Sequence, residues 1–128
     1  MNIALWVLQV LLAAAFLAHG LMLLAPPPDI AVLLSASLPR WFWVFLGVAE
    51  VLAAVGLTLP GVTRIQPALV VWAAAGIMIV MVSATIWHLV RREFSSALIT
   101  LLLLAMATFV AYMRLRVLPI RGRRALTM

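Results

Sequence analysis

His19 and Glu50 are the two residues of this chain whose types could exchange a proton inside a hydrophobic segment. Glu50 lies in the run WFWVFLGVAEVLAAVGLTL at 41–59 and is the only acidic residue within any apolar run. At the centre of a bilayer a carboxylate costs about 2.5–3.5 kcal/mol on insertion scales, so it is kept only where a partner or water surrounds it. A carboxylate and an imidazole together can share a proton, bind the oxygen of a lipid-soluble ligand or relay protons. They can equally form a buried hydrogen bond that fixes helix register, and the residues alone leave both roles open.

The elements that position this pair follow from composition. The chain has 128 residues, 68% hydrophobic and only 9% charged, and its mean hydropathy is +1.28. A soluble domain of this size needs more charge to cover its surface, which leaves the membrane class. Four apolar runs, at about 3–25, 41–59, 67–90 and 96–115, are each long enough to cross a hydrocarbon core of about 30 Å. Short connections between them predict one domain, an all-α antiparallel bundle of four transmembrane helices. Prolines at 26–28 end the first span, and the partly apolar stretch up to Arg40 has room for a short interfacial helix. Pro60-Gly61 reads as an abrupt stop, Pro67 as a first-turn proline, and Ser95 or Ser96 as the N-cap of the last span. The N-terminal run is too long for a signal peptide and has no basic residue before it, so it is expected to be retained.

All nine basic residues are arginine, against three acidic residues. Arg114, Arg116, Arg121, Arg123 and Arg124 fall in the last fifteen positions, where they read as contacts to anionic lipid headgroups rather than to nucleic acid. Arg64 joins them on one side of the membrane, and Arg40, Arg91 and Arg92 lie on the other. The positive-inside rule then puts both termini in the cytoplasm. With that orientation Glu50 lies about 13 Å and His19 about 9 Å below the outer face, within one helical turn of each other in depth. The stripe Gly47, Ala53 and Ala54 directs Glu50 into the bundle. His88, with Thr85 one turn before it, brings a third titratable group to the same half, while Gln9 lies in the other half.

Several plainer roles compete. His88 beside Arg91 and Arg92 suits an interfacial histidine, and Trp41, Trp43 and Trp87 suit the aromatic belt. The methionines suit core filling. No cysteine is present, which excludes thiolate metal sites and cysteine nucleophiles. Two histidines on separate helices and one glutamate are no metal motif, and none is expected to bind a metal.

The first span reads Ala14, then Leu17, Ala18, His19 and Gly20. The second opens with Trp43, Leu46, Gly47 and Glu50 and closes with GLTLP at 56–60. The third carries Pro67, Leu69 and MVSA at 81–84, then His88, Leu89 and RRE at 91–93. Over nearly the whole chain this resembles the DoxX-like family of small four-helix bacterial membrane proteins. The resemblance implies a place in the bacterial cytoplasmic membrane and an association with membrane redox chemistry. One branch is similar to a subunit of thiosulfate:quinone oxidoreductase, and another is thought to couple detoxifying enzymes to the membrane. By that resemblance His19 and Glu50 form the intramembrane polar pair. The lack of cysteine and of an added soluble domain argues against autonomous sulfur oxidation.

The expectation is therefore an accessory membrane subunit that contacts a quinone or similar lipid-soluble ligand at His19 and Glu50, with His88, Thr85 and Trp43 nearby, and with no covalent cofactor. Its partners would be lipid and a soluble redox enzyme or another membrane subunit, and homo-oligomers remain open. One alternative is an acid–base isomerase or hydrolase acting on a hydrophobic substrate through Glu50 and His19. Another is a structural or small-molecule transport component.

Overall fold

The computed structural model describes residues 2–126. Helix α1 (Asn2–Leu24) is followed by a short α2 (Pro28–Ser37). Helices α3 (Arg40–Thr63), α4 (Ala68–Val90) and α5 (Phe94–Tyr112) follow. A wider π-helical turn, Met113–Val117, extends α5, and α6 (Arg123–Leu126) is one helical turn. Four of these elements are long and apolar enough to cross a membrane, with α5 and its extension counted together as Phe94–Val117. The chain is a four-span helical bundle, as its apolar runs predict.

Most ends match their local chemistry. Proline at 26 and 27 halts α1, and Pro28 occupies the first turn of α2, where a missing N–H costs nothing. Helix α2 has no buried residue, and Val32 and Leu33 are exposed, as an element lying in an interface requires. Pro67 immediately precedes α4.

Two boundaries differ from expectation. Helix α3 does not stop at Pro60 but continues to Thr63 and ends at Arg64 in the left-handed region (φ 58°). Pro60 and Gly61 are buried there. A Cβ at Gly61 would lie 2.7 Å from the Trp6 ring and 2.9 Å from Ile120 Cδ1. Packing on this bare backbone outweighs the hydrogen bond that Pro60 removes, a defect that membrane helices tolerate near their ends. Helix α5 begins at Phe94, two residues before Ser96, and no serine caps it. The α4 end supplies the reason. Arg92 is left-handed (φ 59°), its N–H donates to the Leu89 carbonyl (3.1 Å), and the Glu93 N–H donates to the His88 carbonyl (2.9 Å). That pair of bonds is a Schellman closure, and it turns the chain straight into α5.

Helix α1 packs most extensively on α3 and α4 on α5; α3 and α4 join the two pairs, and α1 meets α5 less. The core between them includes Leu12, Phe16, Leu57, Ile77, Met81 and Val110. Outside, large apolar side chains such as Leu52, Trp72 and Ile79 are exposed, which suits a lipid-facing surface. One end of the bundle carries α2 and the 91–93 turn, and the opposite end carries both termini of the spans.

Candidate functional site

The α1–α3 crossing is built on two glycines. A Cβ at Gly20 would lie 2.9 Å from the Gly47 carbonyl oxygen, and one at Gly47 would lie 2.9 Å from the Gly20 carbonyl oxygen. The backbones therefore touch, as small residues allow in lipid. His19 precedes Gly20, and Glu50 lies one turn beyond Gly47, so this contact sets the distance between their side chains. His19 Nδ1 lies 2.6 Å from Glu50 Oε2. The short distance fits a charge-assisted hydrogen bond in which Nδ1–H donates to the carboxylate.

The two members differ in environment. The Glu50 side chain is 5% exposed and the His19 side chain 54%. The imidazole thus covers the carboxylate from the outer side of α1, and its Nε2 has no partner among the described residues. Glu50 Oε1 likewise accepts no hydrogen bond among them.

On its other flank Glu50 lines a cleft of about 600 Å³ between α3 and α4. Ala53, Gly56 and Pro60 form one wall, Leu69, Ala73 and Gly76 the other, and Phe16 of α1 contributes to the lining. Glu50 is the only ionisable lining residue. From Glu50 to Pro60 the cleft follows α3 for about 15 Å at the helical rise. Its rim includes Leu52, Leu59 and Trp72, all exposed on the outside of the bundle, so it opens sideways towards lipid. At the floor a Cβ on Gly56 would press on Ala73 Cβ at 2.9 Å, whereas one on Gly76 would meet nothing within 4 Å. Chemically, the site offers an apolar slot lined at one end by Glu50, whose carboxyl shares a hydrogen bond with an imidazole.

The other candidate residues fall elsewhere. His88 Nδ1 lies 2.6 Å from Glu93 Oε2, and Arg91 Nε donates to Glu93 Oε1 at 3.0 Å. These two partners, His88 foremost, hold the Glu93 carboxyl below its ordinary range. The Thr85 hydroxyl bonds the Met81 carbonyl (2.7 Å) and the Thr100 hydroxyl (2.8 Å), tying α4 to α5. Neither His88 nor Thr85 lines the cleft or bonds to the pair. Trp43 is buried two turns from Glu50 on the same face of α3, and its Nε1 has no acceptor among the described residues. Among the described residues no group of three or more His, Asp or Glu side chains gathers as metal ligands would.

Arg116, Arg121, Arg123 and Arg124 are exposed. Arg114 does not share the exposed outer surface of the tail; it is 4% exposed. The π-helical turn widens the end of α5, with the Leu118 N–H closing on the Met113 carbonyl (2.7 Å), and swings Arg114 inward. Its Nε donates to Gln9 Oε1 (3.0 Å), and its Nη1 donates to Asn2 Oδ1 (2.9 Å) and the Leu118 carbonyl (3.2 Å). Gln9, fully buried, donates onward from Nε2 to the Leu57 carbonyl. This second polar set joins α1, α3 and α5. Its signal in the sequence was the spacing of Asn2, Trp6 and Gln9, which share one face of α1 at steps of four and three.

The sequence profile described as the DoxX-like family matches residues 7–110, which includes the glycine crossing, the His19–Glu50 pair, the cleft and the 91–93 turn. No curated protein and no solved structure gives a significant match. With four spans and a match over most of its length, the chain belongs to the DoxX-like family of membrane proteins.

Proposed function

We propose that this protein binds a quinone or a chemically similar lipid-soluble ring in the α3–α4 cleft and serves as an accessory subunit of a membrane redox system. The observation that carries the reading is the sideways-opening apolar slot with Glu50 as its single ionisable group. Glu50 lies near the middle of α3, about 15 Å from the helix start at Arg40 by the helical rise. A phospholipid keeps its polar head at the interface, so its head and this carboxyl would not meet. A ring that carries a carbonyl or hydroxyl and resides in the hydrocarbon interior would present its oxygen at that depth and lay an apolar tail along the slot. A protonated Glu50 donates to a carbonyl oxygen, and an ionised Glu50 accepts from a hydroxyl. His19 takes or returns the proton through Nδ1. With no cysteine in the chain, electrons would travel through the ligand and a partner protein.

The test is saturable binding of a short-tailed quinone to the purified protein, followed by tryptophan fluorescence. Gly76→Leu places a side chain into open space in the slot and improves helix propensity. The variant should fold as well as wild type and bind at least about tenfold more weakly, or about 1.4 kcal/mol. Glu50→Gln should fold, weaken binding and remove its pH dependence. Undiminished binding by a folded Gly76→Leu protein would exclude the slot. Turnover of a terpenoid-like substrate by the protein alone would instead favour the acid–base enzyme.

A further inference from the structure

We infer that Arg114 is the seat of a binding site for an anionic phosphate group at the end of the bundle where the spans have their termini. Arg114 is almost fully buried, yet among the described residues no carboxylate balances it. The chain's three acidic residues are Asp29, Glu50 and Glu93. Asp29 lies in the first turn of α2 and Glu93 closes the turn, both at the opposite end, while Glu50 bonds to His19 in mid-span. The groups facing the guanidinium are the neutral Asn2 and Gln9 side chains, the Leu118 carbonyl and the Trp6 ring, 4.9 Å from Cζ. They use Nε and Nη1. Nη2 is buried and has no acceptor among the described residues.

A buried cation in a membrane protein is kept with a counter-charge or a set of carbonyls, and here one edge of the fork has neither. Two N–H groups on a planar, permanently charged fork match the oxygens of a phosphate. Depth agrees, since Arg114 lies three residues inside the end of the Phe94–Val117 span, about 5 Å by the helical rise. From that depth an arginine side chain can reach the interface, where lipid phosphates lie. The same end adds Arg64, Arg116, Arg121 and Arg123 and holds no Asp or Glu. The tail folds back over it: the Arg123 N–H donates to the Arg64 carbonyl (3.1 Å), and Ile120 packs with Trp6 at Gly61. Leu118 thus adjoins the guanidinium through its carbonyl, and because Nη2 is buried an anion reaches it only when neighbouring groups shift. The anion is a phosphate, borne either by an anionic lipid headgroup or by a soluble molecule.

The experiment uses the full chain in neutral detergent, titrated separately with phosphatidylglycerol, phosphatidylcholine and inorganic phosphate. Native mass spectrometry counts retained lipid, and thermal unfolding reports stabilisation. The expected result is one retained phosphatidylglycerol, held at least about tenfold more tightly than phosphatidylcholine. Arg114→Gln should abolish that preference, and Arg116→Gln, which removes an exposed charge at the same end, should largely keep it. Stabilisation by inorganic phosphate to the same extent assigns the site to a soluble anion. Equal loss in both variants reduces the effect to the general charge of the tail and overturns the inference. So does wild-type protein that prefers neither anion, a comparison that needs no variant to fold.

Discussion

Gly47 has no chemistry of its own, yet the Glu50–His19 bond depends on it. Any side chain at 47 must enter the space of the Gly20 carbonyl oxygen, 2.9 Å from the added carbon. Backbone cannot retreat as a flexible side chain can, so the helices must separate. Gly47→Ala should cost about 1–3 kcal/mol, the usual range for overpacking, and lengthen the His19–Glu50 contact beyond hydrogen-bond range. Thermal unfolding in detergent measures the first effect, and the histidine nitrogen shifts in an NMR spectrum measure the second. Wild-type stability in Gly47→Ala would show that the crossing is looser than described. The Glu93 carboxyl supplies a second residue-scale test. Bonds from His88 and Arg91 lower its pKa in the folded chain, so the unfolded chain binds the proton first as pH falls. The turn's contribution is therefore complete above the ordinary carboxylate value near 4.5 and disappears as pH falls through the lowered one. Wild type should unfold at a higher temperature than Glu93→Gln at neutral pH, and the two should converge in acid. A gap that persists in acid would assign the effect to packing.

At the level of the helix, the 91–93 turn shows geometry taking priority over residue preference. Arg92 occupies a left-handed position (φ 59°) that glycine fills at lower cost. Arg92→Gly should raise stability by about 1 kcal/mol, given the left-handed penalty of about 1–2 kcal/mol for a residue with a Cβ, as read from the unfolding midpoint. A loss of stability would mean that the arginine side chain makes a contact worth more than the strain. The four spans were legible because each needs only an unbroken apolar run, and the pair was legible because Glu50 interrupts one. The extension of α3 through Pro60 was hidden, because it depends on Trp6 packing from fifty residues away. The inward turn of Arg114 was hidden for a similar reason. It takes a π-helical turn, which has no residue signature, to move that side chain from the tail's outer surface to Gln9. The separation of His88 and Thr85 from the cleft was hidden, because equal depth says nothing about which neighbouring helix a face meets.

Across the whole molecule, charge is unevenly divided. Six arginines and no Asp or Glu fall at the end with the span termini, and three arginines with Asp29 and Glu93 fall at the other. This asymmetry supports an orientation with both termini in the cytoplasm. A reporter enzyme that works only in the cytoplasm, fused to the C-terminus, should be active, and one that works only in the periplasm should be silent. The reverse pattern would invert the bundle without altering the cleft. The sideways mouth of that cleft also changes what affinity means. A ligand arriving through it never leaves the hydrocarbon, so its effective concentration is its mole fraction among the lipids, not its molarity in the sample. Diluting the buffer would leave occupancy almost unchanged, whereas adding empty lipid at fixed ligand would strip the site. Two laboratories with the same protein and ligand but different lipid-to-protein ratios would report different dissociation constants, and both would be right.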